Sequence, residues 1–203
     1  MIRAIPTKYR GITYRSRLEA TWAYFFDEIG FNYHYELEGF QLNNIRYLPD
    51  FYIPERDTWI EIKPKKPTKE EWTKAALLLL ELVKTGSNAN VAILYGRPWV
   101  DDIGPEYIYL NLYAMLGEHD DENGNSFEVT TQNITLDHID DDQQIFVQCR
   151  RCKSIGLDSV AMHYPDKFGG YAGLHGCCDS PGATIPNGDT LLKAYAKDSD
   201  KKF

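Results

Sequence analysis

Cysteine is scarce, methionine scarcer, and no hydrophobic run approaches the length of a membrane span. The 203 residues hold four cysteines and three methionines, too few for a disulfide-dense secreted scaffold. A bilayer-crossing helix needs about 20 consecutive apolar residues, and the first residues form no apolar signal segment. These absences predict a cytosolic protein with no membrane partner. Basic residues are missing from one long stretch. Between Pro98 and Cys149 there is no lysine or arginine, while twelve acids fall there. The remainder carries 22 bases against 18 acids, a net of +4, although the whole chain stands at −8. Residues 1–18 contain five bases (Arg3, Lys8, Arg10, Arg15, Arg17) and no acid. Lys63, Lys65, Lys66 and Lys69 form a second basic cluster. Positive charge so concentrated suits contact with phosphates, though an ordinary solvated surface carries such residues too.

The richest stretch is Tyr47-Leu-Pro-Asp-Phe-Tyr-Ile-Pro-Glu-Arg-Asp-Thr-Trp-Ile-Glu-Ile-Lys63. It reads as two short apolar strands joined by a turn at Pro54 to Asp57. The first carries Asp50, and the second carries Glu61 and Lys63. Side chains alternate across a strand, so Glu61 and Lys63 share one face while Ile60 and Ile62 take the other. Two carboxylates can hold a hard divalent cation, and the ammonium can meet a phosphate. A surface hairpin with a Glu–Lys ion pair would carry the same tripeptide.

The Pro-Asp before an aromatic strand, with Glu-x-Lys ten residues later, resembles the PD-(D/E)XK, or restriction-endonuclease-like, superfamily. Three further segments follow that pattern in order. Tyr14-Arg-Ser-Arg-Leu-Glu-Ala-Thr-Trp-Ala23 resembles its first helix, which implies a metal-proximal Glu19. Lys63-Pro-Lys-Lys-Pro-Thr-Lys-Glu-Glu71 leads to a second helix, and Val91-Ala-Ile-Leu-Tyr-Gly96 is expected to close the core. The resemblance covers residues 10–98 and is nearest to phage and bacterial versions. It implies Mg²⁺ or Mn²⁺ held by Asp50, Glu61 and the Ile62 carbonyl, with Glu19 at the edge of the metal shell. Lys63 would stabilise the transition state, while Arg15, Arg17, Lys65 and Lys66 would contact nucleic acid. His34 reads as packing or surface.

Local signals place the elements. Thr13 or Ser16 caps a helix running to about Gly30, with Leu18, Trp22, Phe25, Phe26 and Ile29 apolar. Phe31 to Leu42 alternates as a strand with an interruption at Gly39, and Asn43-Asn44 marks a turn before a Tyr47–Ile53 strand. Thr68-Lys-Glu-Glu71 is a capping-box pattern opening a helix that stops near Gly86. Tyr107 to Leu116 fits a strand or an amphipathic helix equally. The acidic Asp120–Asn125 segment lacks the alternating ligands of a calcium loop and reads as solvated. A last helix spans Thr190 to Lys197.

A second motif lies in Phe146-Val-Gln-Cys-Arg-Arg-Cys-Lys-Ser-Ile-Gly156. C-x₂-C spacing lets two thiolates reach one tetrahedral zinc ion, and His175-Gly-Cys-Cys178 offers the other half. Adjacent cysteines rarely both reach one ion, which favours Cys149, Cys152, His175 and Cys178. The all-cysteine set that includes Cys177 is the alternative, and four reduced thiols would need no metal. Four protein ligands leave no open position, so such a zinc would be structural, with Arg150 and Arg151 beside it for a phosphate backbone.

The expected fold class is α/β, a restriction-endonuclease-like core of a small mixed sheet flanked by helices, plus a C-terminal zinc-ribbon-like subdomain. The expected divisions are a nuclease core at 1–98, an acidic connector at 99–144 and a zinc-ribbon-like segment with its helix at 145–203. The implied function is metal-dependent hydrolysis of DNA phosphodiester bonds, structure-specific and of a repair, recombination, phage or defence type, with RNA as an alternative substrate. The acidic extension offers a surface for a second copy or another protein. The alternative is a silent nucleic-acid-binding protein that keeps the fold and uses the zinc ribbon for interactions.

Overall fold

The computed structural model describes residues 4–87, 89–98, 107–112, 117–120, 123–130, 132–133, 135–136, 139–149, 153, 155–159, 184–185 and 189–200. A hairpin of β1 (Thr7–Tyr9) and β2 (Ile12–Tyr14) precedes helix α1 (Arg17–Ile29). Ser16 caps α1 by accepting from the Glu19 N–H at 3.1 Å, and Gly30 closes it at φ 77°. A left-handed residue there lets the Phe31 N–H reach back to the Phe26 carbonyl at 2.9 Å.

The alternating segment after α1 breaks in two. Strand β3 (His34–Tyr35) and strand β4 (Phe40–Leu42) belong to different sheets. The break comes at Glu36, earlier than Gly39, because Glu36 takes φ 48° while its N–H bonds the Asp50 carbonyl. Among the described residues, strand β5 (Ile45–Tyr47) pairs only with β4, and β6 (Phe51–Ile53) joins the main sheet. The expected Tyr47–Ile53 strand is thus interrupted, and Asp50 precedes β6 instead of lying on it. Pro49 has no N–H to give a ladder, which suits the gap.

A short 3₁₀ turn, Pro54–Arg56, leads to β7 (Thr58–Lys63), antiparallel to β6. Helix α2 (Lys69–Lys84) follows, with a complete capping box between Thr68 and Glu71. It crosses over to β8 (Asn90–Tyr95), which runs parallel to β7. Such a pair needs a crossover connection, and a helix is the usual one.

Strand β8 does not close the sheet, contrary to expectation. Its middle residues Val91 to Leu94 are buried, and such a strand needs neighbours on both edges. The second neighbour is β9 (Tyr107–Leu112), which resolves the choice at Tyr107 in favour of a strand. A small hairpin of β10 (Gly117–Asp120) and β11 (Ser126–Val129) follows. Strand β12 (Ile139–Cys149) pairs with β9 through its first half and with β13 (Ile155–Ser159) through its second. Strand β14 (Thr184–Ile185) adds to its other edge. The spatial order is β13-β12-β9-β8-β7-β6-β3, so strands from all three expected segments share one mixed sheet.

The chain is therefore mixed α/β, with sheets flanked by helices. On one face α1 and the last helix, α3 (Asp189–Asp200), pack over Phe51, Ile60, Ile62, Leu94 and Phe146. On the other, α2 covers Trp59, Val91 and Ile93. Gln148, buried at the far end, accepts from the Thr190 N–H at 3.1 Å and donates to Thr190 Oγ1 at 2.9 Å, tying β12 to α3. Among the described residues, no helix is long and apolar enough to cross a membrane.

Phe25 joins three elements: its ring lies 5.7 Å from Trp22, 5.2 Å from Phe146 and 5.2 Å from Tyr195 of α3. Phe25→Ala should cost about 3–5 kcal/mol in urea unfolding. Tyr195→Ala should shift the same single transition seen by tryptophan fluorescence. A separate, earlier transition for the C-terminal helix would show that the shared core is not cooperative.

Candidate functional site

Alternation along β7 sends Ile60 and Ile62 into the core beneath α1, leaving Glu61 and Lys63 toward the side that holds α2. Glu61 is 9% exposed, and its Oε1 accepts from Lys63 Nζ at 2.5 Å. Its Oε2 is buried and takes no hydrogen bond. The Glu–Lys ion pair therefore exists, but in a cleft and not on an open hairpin.

Asp50 is 3% exposed. Its Oδ2 accepts the Ile62 N–H at 2.7 Å, which pins it against the end of β7. Its Oδ1 accepts from Arg15 Nη2 at 2.5 Å. Arg15 lies ahead of the Ser16 cap and so is not on the helix with Glu19, where its spacing suggested. This position lets the guanidinium reach several acids at once. Nε lies 2.7 Å from Glu36 Oε1 and 4.0 Å from Glu19 Oε2. Arg17, the first residue of α1, is exposed. Lys65 and Lys66 are exposed between β7 and α2.

Glu19 is buried, but Oε2 is engaged by the Tyr35 hydroxyl at 2.6 Å and the Arg15 N–H at 3.1 Å. It is thus partly a helix-capping residue. Among the described residues, no three Asp, Glu, His or Cys side chains come together as a group able to hold a metal ion. Arg15 lies between Glu19 and Asp50, while Lys63 holds Glu61. His34 sits on the short edge strand β3, exposed.

Burial, and then the Glu61 charge, push the Asp50 carboxyl up to about 7, against the Ile62 N–H and Arg15. Burial opposes charge on Lys63, yet Glu61, Asp50 and Glu71 hold its ammonium above its ordinary value. Burial, then the Glu61 charge and a hydrogen bond to the Glu61 carboxylate, raise the Tyr47 phenol well above its ordinary value. The two buried acids offer oxygen donors of the kind a hard divalent cation takes, but each is already paired with a cation, Asp50 with Arg15 and Glu61 with Lys63.

Sequence reasoning missed Glu36, Tyr35, Tyr47, Glu71 and Lys74. Glu71 Oε1 is 3.9 Å from Lys63 Nζ, and Lys74 reaches the same cleft from the next turn of α2. The capping box could have signalled Glu71, since it fixes where α2 begins relative to β7. Nothing local announced Glu36, whose role depends on a turn made against Asp50. Of the cysteine motif, Cys149 ends β12 and Lys153 has φ 65°. Cys152, His175, Cys177, Cys178, Arg150 and Arg151 lie outside the described residues.

Comparison with family models, with curated proteins and with solved structures returned no match.

The Asp50 proton is held more tightly in the folded chain than in the unfolded one, where the value is about 3.9. The folded state therefore loses stability as pH rises through about 7. Asp50→Asn cannot ionise and should escape that loss, so its Tm relative to the parent should improve steadily from about pH 4.5 to about pH 8. A difference that stays constant over this range would mean that Asp50 is charged throughout.

Proposed function

We propose that the chain is a divalent-metal-dependent nuclease of the restriction-endonuclease-like kind, acting on DNA. The observation that carries this reading is the buried pair Asp50 and Glu61 beside Lys63. Asp50, Glu61 and the Ile62 carbonyl would hold Mg²⁺ or Mn²⁺, with Glu19 and its tyrosine partner behind them. A divalent cation bound there supplies Lewis acidity toward a phosphate oxygen and lowers the pKa of water. The chain does the rest. The Ile62 N–H keeps Asp50 in register with β7, and Lys63 Nζ meets the phosphate oxygens on which charge builds. Arg15 balances Asp50 and Glu36, and exposed Arg17, Lys65 and Lys66 attract the polyanion. Water attacks phosphorus and the bond to the leaving sugar oxygen breaks, leaving a phosphate monoester end.

Asp50→Asn, Glu61→Gln and Lys63→Ala should each slow cleavage by about 10²–10³-fold or more, with DNA binding retained. Glu19→Ala should have a smaller effect. Mn²⁺ should raise the Tm of the parent but not of the Asp50→Asn or Glu61→Gln variants. Wild-type cleavage by Lys63→Ala would overturn the assignment.

One observation favours the second reading, a binding protein that does not cut. Arg15 and Lys63 already neutralise Asp50 and Glu61. A protein with no Mn²⁺-induced Tm shift and no cleavage of single-stranded, duplex or branched DNA or RNA would be that module.

For the C-terminal part we propose a structural zinc on Cys149, Cys152, His175 and Cys178, with Cys177 as the competing ligand, in a ribbon-like turn. It is supported by β12 ending at Cys149 and β13 beginning at Ile155. Purified protein should then contain about one zinc per chain, since four ligands serve one tetrahedral ion. Cys149→Ser or Cys152→Ser should lose it. Metal analysis finding none, in protein never exposed to chelators, would remove the motif from consideration.

A further inference from the structure

Each buried acid is neutralised by a cation that has a second carboxylate within reach. Arg15 gives Nη2 to Asp50 Oδ1 at 2.5 Å and Nε to Glu36 Oε1 at 2.7 Å. Lys63 Nζ lies 2.5 Å from Glu61 Oε1 and 3.9 Å from Glu71 Oε1. The inner and outer acids differ in their access to water. The side chains of Asp50 and Glu61 are 4% and 11% exposed, against 26% and 33% for Glu36 and Glu71. Charge is therefore easier to keep on the outer pair.

Both cations can turn on a backbone that is held independently of them. The Arg15 N–H donates to the Tyr35 hydroxyl at 2.9 Å and to Glu19 Oε2 at 3.1 Å, while the side chain itself is half-exposed. Lys63 is the last residue of β7, and its ammonium ends a flexible four-carbon stem. The receiving acids are held as well. The Glu36 N–H bonds the Asp50 carbonyl at 2.9 Å. Glu71 Oε2 accepts the Thr68 N–H at 2.8 Å, which leaves Oε1 toward Lys63. A carboxylate such as Glu36 can take a guanidinium through two parallel hydrogen bonds, and here it shares that guanidinium with Asp50.

The charges balance in either arrangement. When ionised, Asp50 and Glu61 carry two negative charges, matched by those of Arg15 and Lys63. A divalent cation would bring the same two positive charges to the inner acids. Arg15 on Glu36 and Lys63 on Glu71 would then be neutral pairs at the rim. A cation that entered while both stayed on Asp50 and Glu61 would instead meet like charges in a site poor in water, where repulsion is screened least.

We propose that Arg15 and Lys63 exchange with the divalent cation, moving from Asp50 and Glu61 onto Glu36 and Glu71. Glu36 and Glu71 are thereby positioning residues of the cation site, acting through Arg15 and Lys63. This rests on the metal-site part of the nuclease reading, and its test needs no cleavage. The experiment is calorimetric titration with Mn²⁺ alone, near neutral pH and without nucleic acid. A guanidinium that occupies Asp50 in about nine-tenths of molecules weakens apparent affinity about tenfold. Arg15→Gln should therefore bind Mn²⁺ about tenfold more tightly than the parent. Arg15→Lys, a point charge in place of a fork, should fall between the two. Glu36→Gln should raise the parental Kd about threefold, the worth of a partly exposed charged pair. In the Arg15→Gln background it should change the Kd by less than about twofold, within the additivity expected of uncoupled sites. Simple loss of negative charge would act equally in both backgrounds. Glu71→Gln keeps the capping box and should also weaken binding. Melting near the parental Tm establishes that each variant is folded, and Arg15→Lys replaces Arg15→Gln in the cycle if the latter melts early. Equal effects of Glu36→Gln in both backgrounds would overturn the proposal. Mn²⁺ binding by the parent that is no weaker than in Arg15→Gln would defeat the exchange alone. No Mn²⁺ binding by either protein would defeat the metal site together with the exchange. Tighter binding by Arg15→Gln without cleavage of any nucleic acid would defeat only the nuclease.

Discussion

Two carboxylates held out of water near one another are the constraint around which this molecule is arranged. Burial alone disfavours charge on Asp50, and the neighbouring Glu61 disfavours it further. Left alone, such a pair would be strongly destabilising. The surroundings respond with donors and cations: the Ile62 N–H and Arg15 on Asp50, and Lys63 on Glu61. Arg15 is in turn shared with Glu36, whose left-handed backbone is held by a bond to the Asp50 carbonyl. Only Glu61 Oε2 is left without a hydrogen bond in this arrangement. An unsatisfied buried oxygen is expensive, and the buried Tyr47 phenol lies against the same carboxylate.

The sheet gives these groups their alignment. Strand β7 is buried along nearly its whole length and emerges only at Lys63. Its apolar face is sealed by α1, and Trp22 fastens that helix to the end of β8 through a 3.0 Å hydrogen bond to the Gly96 carbonyl. Its other face is covered by α2, the crossover that a parallel β7–β8 pair requires. The same crossover delivers Glu71 and Lys74 to the cleft. Scaffold and electrostatics are thus one arrangement, and the charged end of β7 lies where rigid elements meet.

Much of this was legible residue by residue. Ser16 and Gly30 bound α1, Thr68 and Glu71 open α2, and the period-two pattern divides Ile60 and Ile62 from Glu61 and Lys63. These are short-range rules, satisfied within one helical turn or one strand. The misreadings were long-range. Strand β8 looked terminal because its partner β9 lies in Tyr107–Leu116, a segment whose period fits a strand or an amphipathic helix equally. Arg15 looked like a helix residue facing phosphate, whereas its partners Glu36 and Asp50 are 21 and 35 positions away.

What the sequence by itself determined is the chemical inventory and its local geometry: two acids and a lysine around a turn, caps at the helix ends, and a separation of basic from acidic segments. Those follow from stereochemistry that neighbours along the chain impose. Tertiary structure alone decided who neutralises whom. Packing placed Arg15 on Asp50 and put Tyr35 against Glu19. Ion pairing depends on distances across the fold and on the loss of water from the site, and neither quantity is written in the spacing of residues.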